Sequence, residues 1–207
     1  EGESLSIGHA VWHKKAAVKC CRVYGSHMTI HDWNESIESE LDAMFDAGIT
    51  SFKMYLTYPA MMIGDGAVYR ALKALKVRGG IAGVHCENAG VIDARIAELK
   101  ASGLGADVVS HPISRPDYLE AEAVSRLLRI AQAADAPVII VHTTNRASLD
   151  EIAAARRRGQ TVYVETCPQY LALDDGVYYD PDFSSAARYV CAPPIRSQED
   201  SEALWKA

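Results

Sequence analysis

No apolar run in this sequence approaches the roughly 20 residues that a membrane-spanning helix needs. The first residues, EGESLSIGHA, do not follow the basic-then-apolar pattern of a secretory signal. Basic charge is not in excess: 21 Lys and Arg face 27 Asp and Glu, a net charge of -6. That balance argues against a nucleic-acid surface, where a clustered basic stripe is required. The densest basic run, Arg156 to Arg158, falls at the end of an expected helix, where cations complement the dipole. The five cysteines are odd in number and follow no framework spacing, which excludes a disulfide scaffold. They are expected to be reduced, mostly buried thiols of a cytoplasmic protein. No glycine-rich phosphate fingerprint follows any strand-like run, which weakens a dinucleotide-binding reading. An initiator methionine is also missing, so the chain is expected to be an internal piece of something longer.

What is present is an ordinary globular composition, 49% apolar and 23% charged over 207 residues, enough for one sizeable core. Hydropathy periodicity predicts an amphipathic helix over 4–21, a short strand from Arg22, and a helix from Asn34 or Glu35 closed by Gly48. The strand SFKMYLT follows, then a helix opened by Asp65, the strand IAGVHCEN, and a helix over Val91 to Leu99. An irregular proline-bearing segment leads to a long helix from about Asp117 to Ala134. The strand PVIIVHTT, a helix with Ser148 and Glu151 spaced as a capping box, and the strand TVYVETC come next. PQYLALDDGVYYDPDF reads as loop, RYVCAPP as a sixth short strand, and SQEDSEALWKA as a terminal helix. Repeated βα units imply a parallel sheet covered by helices, either doubly wound or a (β/α) barrel. Polar residues gather at the carboxyl ends of the strands: Lys53 and Tyr55, His85 and Glu87, His142 and Thr144, Glu165 to Cys167. In a barrel that end is the catalytic face, so the barrel is favoured, with too few strands for all eight.

SFKMYLTYP is the most informative stretch. Alternation puts Ser51, Lys53 and Tyr55 on one face and Phe52, Met54 and Leu56 on the other. A lysine turned inward from a strand is costly unless something pairs or neutralises it. His85 and His142 end two later strands, where neutral imidazoles are well set to bind a metal, and the three side chains are expected to converge on one metal site. An ammonium would repel that metal. If Lys53 instead reacts with carbon dioxide, the resulting carbamate is anionic, bidentate and able to bridge two divalent ions.

With those residues in view, the chain resembles the dihydropyrimidinase/D-hydantoinase family of cyclic amidohydrolases. The resemblance is carried by DWNE (32–35), SFKMYLTYP (51–59), VHCEN (84–88), HPISRP (111–116), VHTT (141–144), VYVETCPQYL (162–171) and YVCAPPIR (189–196), in order along essentially the whole chain. It implies a (β/α)8 TIM barrel of the amidohydrolase type, of which residues 1–207 are the central part of the catalytic domain. It implies two zinc ions bridged by carboxylated Lys53, with His85 and His142 binding one of them, and Tyr55 contacting substrate and stabilising the oxyanion. A hydroxide between the ions would then open the ring amide of a dihydropyrimidine or 5-substituted hydantoin to an N-carbamoyl amino acid. Ala192 stands where the family usually has serine in a CSPP motif, at a substrate contact made through the backbone carbonyl. The family's HxH pair, its later metal-binding aspartate and a pocket asparagine have no match in this chain. The implied partner is a small cyclic amide, with no nucleic acid or membrane, and the full-length protein is expected to be a homotetramer.

Other histidines read as bland. His9 and His13 are four apart on a helix without the glutamate of a zincin and are expected on its surface. His27 and His31 share a strand face, and His111 is expected to serve in loop packing. Glu165 is a candidate acceptor behind a metal-bound histidine. Two rival readings stand: a sister enzyme acting on allantoin or dihydroorotate, and a non-catalytic scaffold relative of the collapsin-response-mediator kind.

Overall fold

The helices ahead of four of the strands each end on a left-handed residue, and the strand begins within three residues of it. Gly48, Gly79 and Gly159 take φ of 81°, 74° and 85° at three of these turns, where a side chain would be strained. Asp135 takes the fourth at φ 50° and is held by Lys76, whose Nζ donates to its carboxylate at 2.5 Å. The computed structural model describes residues 4–207. Its five strands are β1 (Met28–Thr29), β2 (Ser51–Tyr55), β3 (Ile81–His85), β4 (Val138–Ile140) and β5 (Val162–Val164).

All four strand pairs are parallel and the spatial order is the sequence order, β1 to β5. A doubly wound sheet reverses direction at a switch point, and this one does not. Consecutive order with helical crossovers is the wall of a (β/α) barrel, here five strands of it. The main crossover helices are α4 (Asp65–Val77), α5 (Ala89–Ala101), α7 (Asp117–Ala134) and α8 (Arg146–Arg157). Ahead of them lie α1 (Leu5–Ala17), α2 (Glu35–Ser39) and α3 (Leu41–Asp46), and α6 (Ser110–Ser114) sits between α5 and α7.

The core lies between sheet and helices. Phe52, Met54, Ala82, Val84, Val138, Ile140 and Val162 point outward and are buried against Val68, Leu72, Leu75, Val124, Leu127 and Ile152. The register aligns Thr29, Lys53, Gly83, Ile139 and Tyr163 on the opposite, inner face, with Tyr55 beside His85 one layer higher. Alternation therefore sorts the lysine strand as expected.

Several expectations change. RYVCAPP is not a sixth strand: Pro193 and Pro194 remove consecutive donors, and the segment is irregular. The first strand is only Met28–Thr29, leaving His27 and His31 outside it. The 4–21 helix forms, but Leu5 is its only buried residue and Trp12 is 64% exposed, so it is not amphipathic in its packing. The Asn34–Gly48 helix breaks into α2 and α3 at Glu40, whose carboxylate accepts from the Ser4 hydroxyl and the Ser6 N–H. Pro112 sits inside α6, where a first-turn N–H has no helical partner to lose. The cap of α8 is Asn145, accepting from the Ser148 N–H at 2.8 Å, while Glu151 accepts from Ser125 instead of closing a capping box. The supposed loop after β5 holds α9 (Pro168–Ala172), a 3-10 turn (Asp175–Tyr179) and α10 (Phe183–Ala187) before the terminal α11 (Gln198–Lys206). Of the five free cysteines only Cys86 is buried, and Cys20 and Cys21 are exposed.

Candidate active site

His85 is the last residue of β3 and is 2% exposed. Its Nε2 lies 2.7 Å from Glu87 Oε2, and the same oxygen accepts from Arg115 Nη1 at 3.0 Å. A carboxylate can only accept here, so the His85 proton resides on Nε2 and its Nδ1 is an acceptor. That Nδ1 faces His142 Nε2 at 3.0 Å, with ring centroids 4.6 Å apart. His142 reaches this place against the alternation of β4. Ile139 faces inward and Ile140 outward, so the second residue beyond Ile140 would again point outward. A φ of 39° at His142 breaks the pattern and carries the ring to His85. Left-handed backbone at a non-glycine residue costs on the order of 1 kcal/mol and persists only where the surroundings enforce it.

The enforcement is a buried ion pair. Glu120, at the start of α7, accepts from the Thr144 N–H at 2.9 Å and from the Thr144 hydroxyl. Arg196 Nη2 donates to Glu120 at 3.1 Å, Nε donates to Thr144 Oγ1 at 3.0 Å, and Nη1 donates to the Arg115 carbonyl. The loop carrying His142 and the residue that holds Glu87 are thus tied to one guanidinium.

Electrostatics keep both imidazoles neutral. Burial lowers His142 to about 3, helped by His85 and Lys53, and burial also lowers His85 against the pull of Glu87. For Glu87 burial pushes upward, but the His85 hydrogen bond and the Arg115 charge prevail and hold the carboxyl below its usual range. Lys53 is lowered to about 8, chiefly by burial and against the fields of Cys86, Glu165 and Cys167. At neutral pH about a tenth of such a lysine is free amine, against well under a thousandth for an ordinary one. Free amine is the form that reacts with carbon dioxide.

Two aromatic rings close the cluster. Tyr55 stacks on His85 with centroids 5.8 Å apart and lies under Lys53 Nζ, 5.0 Å from its ring. Tyr58 packs closer to His85, at 5.0 Å, from a backbone φ of 69°, with the Arg115 guanidinium on its ring. Burial, then Glu87, raises the Tyr58 phenol to about 12.

The donor set fits one side of a metal centre. Two imidazole nitrogens on one tetrahedral zinc stand about 3.3 Å apart, close to the 3.0 Å observed, and each would be neutral and oriented as such ligands are. His142 Nδ1 and Glu87 Oε1 are buried without hydrogen-bond partners among the described residues. No three His, Cys, Asp or Glu side chains among the described residues form a complete metal-binding group. Lys53, Tyr55, His85 and His142 thus come together, and Ala192 stands on the turn Cys191–Pro194, where the neighbouring Cys191 carbonyl accepts from His111. Glu165 does not back a histidine: it is exposed, and Glu87 holds that role. Glu87 was legible from its i, i+2 spacing to His85, which puts both on one face of a strand. Tyr58 and Arg115 carried no such signal. His13 pairs with Tyr24 on the surface at 3.1 Å, and His111 bonds the Cys191 carbonyl.

No family model matches the chain. It is similar to the D-hydantoinase of Streptomyces coelicolor, 39% identical over 206 residues that cover 99% of this chain and 44% of that protein. The D-hydantoinase of Geobacillus stearothermophilus is 36% identical over 209 residues, 100% of this chain and 44% of its own. The crystal structure of dihydropyrimidinase from Brevibacillus agri superposes with a TM-score of 0.97 at 37% identity, covering 100% of this chain and 45% of that one. A dihydroorotase from Campylobacter jejuni, at TM-score 0.65 and 14% identity, shares the fold. The chain spans less than half the length of the relatives it matches. Over that span, on part of a (β/α)8 barrel, it is similar to the D-hydantoinases and dihydropyrimidinases.

Proposed function

We propose that the full-length protein hydrolyses the ring amide of dihydropyrimidines or 5-substituted hydantoins to N-carbamoyl amino acids. His85 and His142 would hold one zinc ion, and Lys53, as a carbamate, would bridge it to a second whose other ligands lie outside this chain. When bound, such ions supply an activated water and polarise the ring carbonyl. The chain's own residues do the rest. Carbamate formation starts from the Lys53 ammonium, which first loses one proton to become the free amine; the amine nitrogen then bonds to the carbon of carbon dioxide and loses a second proton, so that a buried positive charge is replaced by a negative one. Glu87, backed by Arg115, fixes His85 with its Nδ1 lone pair toward the cavity. Tyr55 and Tyr58 line the same cavity, and a phenol held protonated well above neutral pH can donate to the oxygen on which charge develops. Ala192 would meet the substrate through its carbonyl.

The observation that carries this reading is the approach of His85 Nδ1 to His142 Nε2 at 3.0 Å, beside a lysine whose buried amine is readily freed. Relatives named D-hydantoinase and dihydropyrimidinase support the ring chemistry. The test is turnover of dihydrouracil, hydantoin and allantoin by the full-length protein, with zinc measured alongside. Turnover of the first two with stoichiometric zinc is expected. Allantoin alone would select the sister activity, and a zinc-free inert protein the scaffold reading.

A further inference from the structure

Cys20 and Cys21 are adjacent, free and exposed, whereas Cys86 is buried and Cys167 and Cys191 are half-buried. The Cys20 N–H donates to the Ala16 carbonyl at 2.9 Å and closes the end of α1. From Cys21 to Ser26 no N–H or carbonyl makes a backbone–backbone hydrogen bond among the described residues, so both thiols can turn to one side without breaking one. The Cys21 thiol meets the Lys19 carbonyl at 4.0 Å, a weak contact. The pair stands between α1 and β1, ahead of the sheet, whereas His85 ends β3 at the carboxyl side.

Geometry limits what the two thiols can do. Their peptide bond is trans, which sets successive Cα atoms about 3.8 Å apart, below the roughly 4.4–6.8 Å that unstrained disulfides span. A disulfide between them is therefore disfavoured. A third atom that bonds to both sulfurs relieves the strain, because the sulfurs no longer have to meet. Zinc does not suit: it takes four ligands, and no three His, Cys, Asp or Glu side chains among the described residues gather into a metal-binding group. Lys14, Lys15, Lys19 and Arg22 lie between Ser4 and His31 with no acid among them, which opposes a bare soft cation. What fits is a neutral, thiophilic centre that needs only two sulfurs. Cys20 also lines a groove of about 550 Å³ with Trp12, Tyr24 and Met28, where an aryl group carried by that centre can pack.

We infer that Cys20 and Cys21 form a dithiol site that chelates a trivalent organoarsenical. Both S–H bonds break and two As–S bonds form. The two protons leave with the oxygen of the arsenical as one water, and neither sulfur nor arsenic changes oxidation state. The site uses none of the residues placed in the candidate active site.

The test is titration of the reduced full-length protein with phenylarsine oxide, counting bound arsenic and remaining thiols. One arsenic per chain and the loss of two thiols are expected, reversed by a dithiol and not by the same concentration of a monothiol. Cys20→Ser and Cys21→Ser should each weaken binding at least about a hundredfold, because the second As–S bond is made intramolecularly. Cys167→Ser and Cys191→Ser should leave binding unchanged. Arsenite, which lacks the aryl group, should bind about tenfold more weakly, the worth of partly burying one ring. Equal binding of arsenite overturns the organoarsenical assignment. Unaltered binding in Cys20→Ser or Cys21→Ser overturns the site, as does a wild-type protein that takes up no arsenic or loses it with Cys167 or Cys191. Should a serine variant fail to fold, peptide mapping of the wild-type adduct decides. Arsenic on the peptide that carries both Cys20 and Cys21 supports the site, and arsenic elsewhere removes it.

Discussion

Arg196→Met tests the ion pair on which both histidines depend. The wild-type guanidinium satisfies three buried acceptors: Glu120 Oε2, Thr144 Oγ1 and the Arg115 carbonyl. Methionine fills similar space and donates nothing, so a carboxylate only 2% exposed loses its counter-ion. Breaking a buried pair on one side costs about 3–5 kcal/mol. At roughly 1 °C per kcal/mol for a chain more than twice this length, thermal unfolding of the full-length protein should fall by about 4 °C near pH 8. The loss should shrink near pH 5. Burial already pushes Glu120 upward against Arg196 and Thr144, and removing Arg196 raises it further. A carboxyl whose folded pKa exceeds its unfolded value destabilises the fold increasingly as pH rises from the unfolded value through the folded one, so the penalty is smaller at about pH 5. Adding Glu120→Gln, which keeps an acceptor for the Thr144 N–H, should recover about 2 kcal/mol of the loss. A drop under about 2 °C, or an equal drop at both pH values, would refute the reasoning.

Glu87→Gln should weaken zinc binding about 10–100-fold in a competition titration, and unchanged affinity would mean that His85 needs no partner to set its tautomer. Tyr58→Phe should lower kcat more than Tyr55→Phe at constant zinc content. Tyr55 stacks its ring face on His85, whereas Tyr58 brings a buried phenol under the Glu87 field. The reverse order would return the donor role to Tyr55. Gly83→Ala should cost about 1–3 kcal/mol in thermal unfolding, because its Cβ would stand 2.8 Å from Cγ1 of Val141, a stiff β-branched neighbour. Wild-type stability in that variant would show that the inner face has room.

The strands around the site were legible because period-two alternation and a following helix fix both their existence and their inner face. Lys53 and Tyr55 could be placed beside one another from SFKMYLTYP alone. His142 was legible as a strand-end histidine, but its approach to His85 depends on a left-handed residue enforced by Glu120 and Arg196, which are distant in sequence. The same distance hid Arg115. The sixth strand failed because apolar residues before two prolines mimic a strand that cannot ladder. The Ser148–Glu151 spacing imitated a cap that Asn145 makes one turn earlier. The opening helix looked amphipathic from its hydropathy periodicity, yet tertiary packing buries only Leu5.

The central claim is that Lys53 is the bridge of a two-metal site. Zinc stoichiometry of the full-length wild type and of Lys53→Ala, with turnover of dihydrouracil followed in the same preparations, tests it most directly. The account predicts two zinc ions per wild-type chain, and loss of both metal and turnover in Lys53→Ala. Two ions retained in Lys53→Ala would contradict it.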